Sequence, residues 1–316
     1  MSTVHNHEFH PDLAVRLQHF AAKELGMEAF ETLGVPFGPP ETWDLKIEDR
    51  EIEGPGGPLR LRIYRPMGSV DDRPALVWLH GGAWVGGDLD MPEAHETGRG
   101  VAGRADAVVV SVEYRLCNEE VHFPAPVDDV VTAYRWVREH AAELGVDAAR
   151  VALGGASAGG NLAAGAALRL RDEGETPWQA LLLYPLVHAP LPEPSAELAA
   201  ALAKLPAGLS FPDHLMEQVF AIYLGGAAVE TASPYAFPGH AGDLRGFPPT
   251  YIDNDEFDSL RGSGELFADQ LRAAGVEVEQ VTSPGVLHGH LNLVGLDIAH
   301  ATLDRMAARL RQEGIQ

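Results

Sequence analysis

From Ala75 onward, short apolar runs alternate with longer amphipathic segments, and this rhythm restricts the possible folds more than any single motif does. The strand candidates are residues 75–79, 107–112, 151–153, 180–184, 250–252 and 276–281, and the helical candidates are 127–144, 158–173, 262–274 and 293–310. Strands that alternate with helices make βαβ units, so the sheet they build is mostly parallel. Such strands are buried on both faces and read as unbroken apolar runs, as Val108-Val109-Val110 does. Upstream, the alternating stretches Leu45-Lys46-Ile47 and Leu59-Arg60-Leu61-Arg62-Ile63-Tyr64 flank Gly54-Pro55-Gly56-Gly57-Pro58, which reads as an antiparallel hairpin. The fold class is α/β.

One region breaks the rhythm. Residues 185–248 hold no good strand, carry Pro190, Pro192 and Pro194, and show helical stretches near 195–203 and 212–224. A helix is also expected at 11–22. The chain therefore divides into an N-terminal helical cap segment (1–42), the first part of an α/β core (43–184), a helical cap insertion (185–248) and the second part of the core (249–316). The insertion falls between two sheet strands. With the N-terminal helix it reads as a lid, an element that shields a reaction from water.

The chemistry centres on Gly155-Ala156-Ser157-Ala158-Gly159, a G-x-S-x-G motif between the strand ending at Gly154 and the helix that begins near Asn161. That strand–turn–helix context lifts a serine hydroxyl above the sheet at a helix N-terminus. The turn is too tight for side chains, which is why Gly155 and Gly159 lack a Cβ. The Ala158 N–H then faces a substrate oxyanion. A second Gly-rich turn, His80-Gly81-Gly82-Ala83-Trp84, follows the 75–79 strand and offers further backbone donors, with His80 read as orienting the loop. A base should come last in chain order, after the acid. The loop after the last strand offers His288 and its rival His290. The loop after 250–252 offers Asp253, Asp255, Glu256 and Asp258.

These residues together resemble the hormone-sensitive-lipase family of HGGG-type bacterial carboxylesterases, from about Leu59 to the C-terminus. His80-Gly81-Gly82-Ala83-Trp84 is similar to its H-G-G-G-W. Glu113-Tyr114-Arg115-Leu116, Phe123-Pro124-Ala125 and Asp128-Asp129 are similar to its Y-R-L, F-P-A and D-D elements. Asp258-Ser259-Leu260-Arg261 resembles the D-P-L-R acid motif, which selects Asp258. Gly285-Val286-Leu287-His288-Gly289 resembles the histidine motif, which selects His288. The resemblance implies an α/β-hydrolase fold with an eight-stranded sheet and a helical cap. It implies a Ser157–His288–Asp258 triad that hydrolyses short- or medium-chain or aryl esters through an acyl-enzyme. The oxyanion hole is expected from Gly81, Gly82, Ala83 and Ala158, with Gly81 shaping the turn. Four departures stand out: Ala83 at the third glycine, Ala156 at a usually acidic position, the Asn118–His122 stretch after Y-R-L, and His290 at a usually aromatic position. Trp84, His290 and the 211–223 segment are candidates for the substrate pocket, and His290 reads alternatively, and preferably, as a packed, neutral imidazole.

Net charge and cysteine count narrow the partners. With 23 basic and 46 acidic residues the chain carries −23, which disfavours nucleic acid and anionic membranes. His5, His7 and His10 read as a solvated terminus, and no metal or organic cofactor is needed. The N-terminal residues show no secretory signal, and the single Cys117 suits a reducing cytoplasm. The resemblance also allows a homodimer. The alternatives are a non-catalytic receptor on the same scaffold, and an amidase or lactonase sharing the triad.

Overall fold

The computed structural model describes residues 8–18, 33–68, 71–206 and 209–312. Its strands are β1 (Leu45–Gly54), β2 (Gly57–Pro66), β3 (Arg73–Leu79), β4 (Val108–Val112), β5 (Val146–Ala156), β6 (Ala180–Leu183), β7 (Thr250–Phe257) and β8 (Val278–Leu287). They form one sheet in the order β1-β2-β4-β3-β5-β6-β7-β8. β1, β2 and β4 pair antiparallel, and β4, β3 and β5 through β8 pair parallel. Each apolar run read from the sequence overlaps a strand. The α/β-hydrolase architecture implied by the resemblance is the one observed.

The described helices are α1 (Pro11–Gln18), α2 (Pro92–Ala105), α3 (Ala125–Glu139), α4 (Ala141–Leu144), α5 (Ala158–Asp172), α6 (Ala196–Leu202), α7 (Asp213–Tyr223), α8 (Arg261–Ala273) and α9 (Asp297–Arg311). They sandwich the sheet, and the strand alternation sorts the two cores. Ala75, Val77 and Leu79 of β3 pack on the side of α3, α5 and α8. Leu76 and Trp78 pack on the side of α2 and α9.

The helices compare with the sequence reading as follows. The helix expected at 127–144 breaks at His140 into α3 and α4. The expected 11–22 helix is seen at Pro11–Gln18, and residues 19–22 lie outside the described residues. Helix α2 was not expected, because Gly98, Gly100 and Gly103 dilute its apolar pattern. Those glycines let it sit close: a Cβ on Gly98 would come 2.5 Å from the Tyr64 ring, and one on Gly100 2.8 Å from Leu303.

The 185–248 segment supplies α6, capped by Ser195 Oγ accepting from the Leu198 N–H (3.1 Å), and α7. Leu13 and Leu17 of α1 cluster with Ala201 of α6 and with Phe257, Leu287 and Leu293. The N-terminal helix and the insertion thus meet over the C-terminal ends of β7 and β8, the edge where a parallel sheet presents its functional loops.

Candidate active site

Ser157 occupies the turn between β5 and α5 with φ 56° and ψ −119°. A non-glycine residue at positive φ is strained, and the surroundings must hold it there. The turn is held by the Ser157 N–H donating to the Leu183 carbonyl (2.9 Å) and the Asn161 N–H donating to the Ser157 carbonyl (3.0 Å). No side chain fits at its flanks. A Cβ on Gly155 would lie 2.9 Å from the Gly160 nitrogen, and one on Gly159 2.7 Å from the Leu79 carbonyl carbon.

The loop after β8 brings His288 to this serine, with Nε2 2.9 Å from Ser157 Oγ. On its other side His288 Nδ1 lies 2.7 Å from Asp258 Oδ2. Asp258 is buried just past β7, and its Oδ1 accepts from the Leu260 N–H at 2.9 Å. Burial alone would lower the His288 pKa, but the charge and hydrogen bond of Asp258, helped by Asp255 and Glu93, raise it above the ordinary value of 6.5. The imidazole is thereby made a stronger base, oriented toward the hydroxyl. The structure brings together Ser157, His288 and Asp258, the three residues expected from the sequence.

The other acidic residues of this stretch are used elsewhere. Asp253 accepts from Arg305 (2.7 Å), Tyr251 Oη (2.7 Å) and Ser283 Oγ (2.7 Å). Glu256 accepts from the Gly285 N–H at 2.6 Å. Asp255 binds His290 Nδ1 at 2.5 Å. Among the described residues, Asp255, Asp258 and His288 are the group whose donor atoms all lie within 4.8 Å, as a metal site would need. Both nitrogens of His288 are already engaged by Ser157 and Asp258, so the cluster spends its donors internally.

The turn after β3 runs through positive φ at Gly82 (111°), Ala83 (52°) and Trp84 (62°). Its carbonyl at Gly82 accepts from the Val85 (3.1 Å) and Gly86 (2.9 Å) N–H groups. The N–H groups of Gly82, Ala83 and Ala158 have no acceptor among the described residues, as donors awaiting an oxyanion would. Gly81 differs. Its N–H donates to Glu93 Oε1 at 2.6 Å in a buried pair, so it shapes the turn and is not a free donor, which corrects its place in the expected donor set. His80 stays within the same turn, with Nδ1 2.7 Å from the Gly81 carbonyl and its ring stacked on Tyr114 at 4.4 Å.

Two pocket candidates, Trp84 and His290, lie elsewhere, His290 as the packed imidazole that its sequence also allows. Trp84 is completely buried. It stacks on Tyr223 at 4.2 Å, and its Nε1 donates to Asn161 Oδ1 (3.3 Å), so it braces the turn from within the core. His290 is also completely buried, between Asp255 and Thr302 Oγ1 (2.8 Å). Burial pulls its pKa down, but Asp255 raises it further, above the usual imidazole value. Neither residue lines the open cavity. That cavity, of about 670 Å³, has His288, Ser210 and Asn292 in its wall and is otherwise mostly apolar, with Leu13, Phe211, Leu215, Leu287 and Leu293 among its lining. The edge of Phe211 meets the His288 ring at 4.9 Å.

Sequence reasoning missed two residues that organise this site. Asn161 Nδ2 donates to the Leu186 (2.9 Å) and Ala236 (2.8 Å) carbonyls, while its Oδ1 accepts from Trp84 and Tyr223. It thus ties the oxyanion turn to the insertion, and its position one turn into the helix after the motif was the available signal. Glu93 left a weaker signal, an acidic residue after Pro92 at a helix start.

Residues 76–292 match the model of a family described by the alpha/beta hydrolase fold. The chain is 39% identical over 294 residues to carboxylesterase NlhH of Mycobacterium tuberculosis H37Rv, covering 86% of this chain and 85% of that one. It is 37% identical to esterase LipI of the same organism, covering 80% and 77%. The structure is similar to a hyperthermophilic esterase from the archaeon Pyrobaculum calidifontis, with a TM-score of 0.78 and 34% identity over 96% of this chain and 98% of that one.

Proposed function

The chain belongs to the α/β-hydrolase family, as a carboxylesterase of the hormone-sensitive-lipase type, and on that premise we propose that Ser157, His288 and Asp258 carry out its ester hydrolysis. The observation that supports this most is the continuous chain Ser157 Oγ–His288 Nε2, 2.9 Å, and His288 Nδ1–Asp258 Oδ2, 2.7 Å. His288 takes the proton from Ser157 as its oxygen attacks the ester carbonyl, and Asp258 holds the tautomer that leaves Nε2 able to accept it. The Gly82, Ala83 and Ala158 N–H groups receive the oxyanion, each contributing on the order of 3 kcal/mol to the barrier reduction. His288 then protonates the departing alcohol, and water, activated by the same imidazole, releases the acid.

The substrates are small uncharged esters with a short or medium alkyl chain or an aryl group. The cavity beside His288 is mostly apolar, and among the described residues that line it none carries a fixed charge. Helix α1 and the insertion residues Leu209, Phe211 and Leu215 wall it, and α1 packs against α6; together they act as the lid. No helix among the described residues is long and apolar enough to cross a membrane. The buried, unpaired Cys117 supports a reducing, cytoplasmic setting. The test is hydrolysis of p-nitrophenyl butyrate by purified protein. Ser157→Ala is expected to abolish turnover, and near-wild-type turnover would remove the mechanism.

A further inference from the structure

Glu93 is 2% exposed and belongs to no part of the triad. Its Oε1 accepts from the Gly81 N–H at 2.6 Å. Its Oε2 accepts from Tyr184 Oη at 2.7 Å and from Asn292 Nδ2 at 3.2 Å. Its own backbone is held as well: the N–H donates to Asn292 Oδ1 (3.2 Å), and the carbonyl accepts from Trp78 Nε1 (3.0 Å). Three donors converge on one side chain with no acceptor among them, a pattern that a carboxylate satisfies completely. The first turn of α2, where backbone N–H groups and the helix dipole favour an anion, stabilises that charge.

What these partners have in common is their place around the reaction. Gly81 precedes the two oxyanion donors Gly82 and Ala83. Tyr184 directly follows β6, and its ring stands edge-on to His288 at 5.0 Å. Asn292 belongs to the short helical turn His290–Asn292 that follows the base, and also donates to the Gly289 carbonyl (3.3 Å). One carboxylate therefore touches the oxyanion turn, the histidine loop and the ring between them.

We infer that Glu93 is a positioning residue of the esterase reaction: it holds the oxyanion turn and the His288 loop in register, so that the oxyanion donors and the base act on the same carbonyl. The inference rests on the triad and oxyanion assignments above. It acts through other groups and does not touch substrate. Register of this kind is realised in the transition state and is worth much more there than in ground-state binding. Loosening it should lower kcat and leave KM nearly unchanged. The negative charge also favours the protonated imidazole of His288, so its removal should shift the acid limb of the pH–rate profile to lower pH.

The experiment compares Glu93→Met, of similar length but with no acceptor, with Glu93→Gln, which restores one acceptor. Rates are expressed per active site titrated with a fluorophosphonate. Val109→Ala, in the centre of the sheet, reports what mere destabilisation does to the same readouts. For Glu93→Met the expected result is a fall in kcat of about thirtyfold, KM within threefold, and an acid limb at lower pH than wild type. Glu93→Gln should recover part of that loss in kcat, whereas Val109→Ala should lower the thermal midpoint with kcat per site unchanged. If Glu93→Met does not accumulate folded, Glu93→Gln decides alone: a fall in kcat of at least fivefold with KM kept supports the inference, and a smaller one overturns it. A folded Glu93→Met with kcat per site within threefold of wild type, or a loss confined to KM, also overturns it. Wild-type protein that fails to react with the fluorophosphonate overturns the acyl-transfer reading itself, which separates the two failures.

Discussion

Asp258→Asn is the sharpest perturbation of the proposed triad, because the structure dictates how the new amide must sit. The Leu260 N–H donates to Oδ1 at 2.9 Å, so the amide oxygen is held at that position. The amide NH₂ then takes the place of Oδ2, 2.7 Å from His288 Nδ1. A donor there forces Nδ1 to accept, and the imidazole proton moves to Nε2. That proton points at Ser157 Oγ, 2.9 Å away, where a lone pair is required. Asp255 cannot take over, since its Oδ1 is held by His290 at 2.5 Å. Loss of the correct tautomer lowers kcat by about 10⁴-fold, or about 5.4 kcal/mol of barrier. The assay is kcat on p-nitrophenyl butyrate, with the thermal midpoint measured alongside to show that the fold persists. A folded Asp258→Asn enzyme with kcat within tenfold of wild type would refute this role for Asp258.

Three further outcomes follow. Because Asp258 raises the His288 pKa and only neutral His288 accepts a proton, kcat/KM should climb with pH along an acid limb centred above 6.5; a limb centred at 6 or lower contradicts this electrostatic account. His290→Phe leaves the Asp255 carboxylate buried without its partner and should lower stability by about 3 kcal/mol in urea unfolding, and an unchanged midpoint would show that the pair carries no such weight. Since His288 must protonate the leaving oxygen and also walls the apolar cavity, the cavity should receive the alcohol, while tightly packed Trp84, Tyr223 and Phe237 stand behind the oxyanion turn. Hexyl acetate should then exceed its isomer ethyl hexanoate in kcat/KM by at least about tenfold, given about 0.8 kcal/mol per buried methylene, and the reverse order would place the acyl chain in the cavity.

The parts of this molecule legible in its sequence were those set by local sterics. Gly155 and Gly159 announce the Ser157 turn because no Cβ fits there, and the apolar runs announce strands because both their faces are covered. The acid and the base were legible only as sets. Asp253, Asp255, Glu256 and Asp258 share one stretch, and only the tertiary fold sends Asp253 to Arg305, Asp255 to His290 and Asp258 to His288. The family resemblance selected among them where local pattern did not. Trp84 is a pocket candidate by sequence but not in the fold, because adjacency to a reactive group says nothing of burial; His290, whose alternative reading is a packed imidazole, is packed, and both turn inward to satisfy polar atoms in the core. Glu93 stayed hidden because its helix is glycine-rich for close packing and its partners Tyr184 and Asn292 lie far along the chain.

The central claim is that Ser157 becomes acylated with His288 as its base. Peptide mass mapping of the active enzyme after reaction with a fluorophosphonate tests it most directly. A single adduct on the peptide that holds Ser157, formed far more slowly in His288→Ala, is the predicted result. An adduct on any other residue, or none in protein that still hydrolyses p-nitrophenyl butyrate, would contradict it.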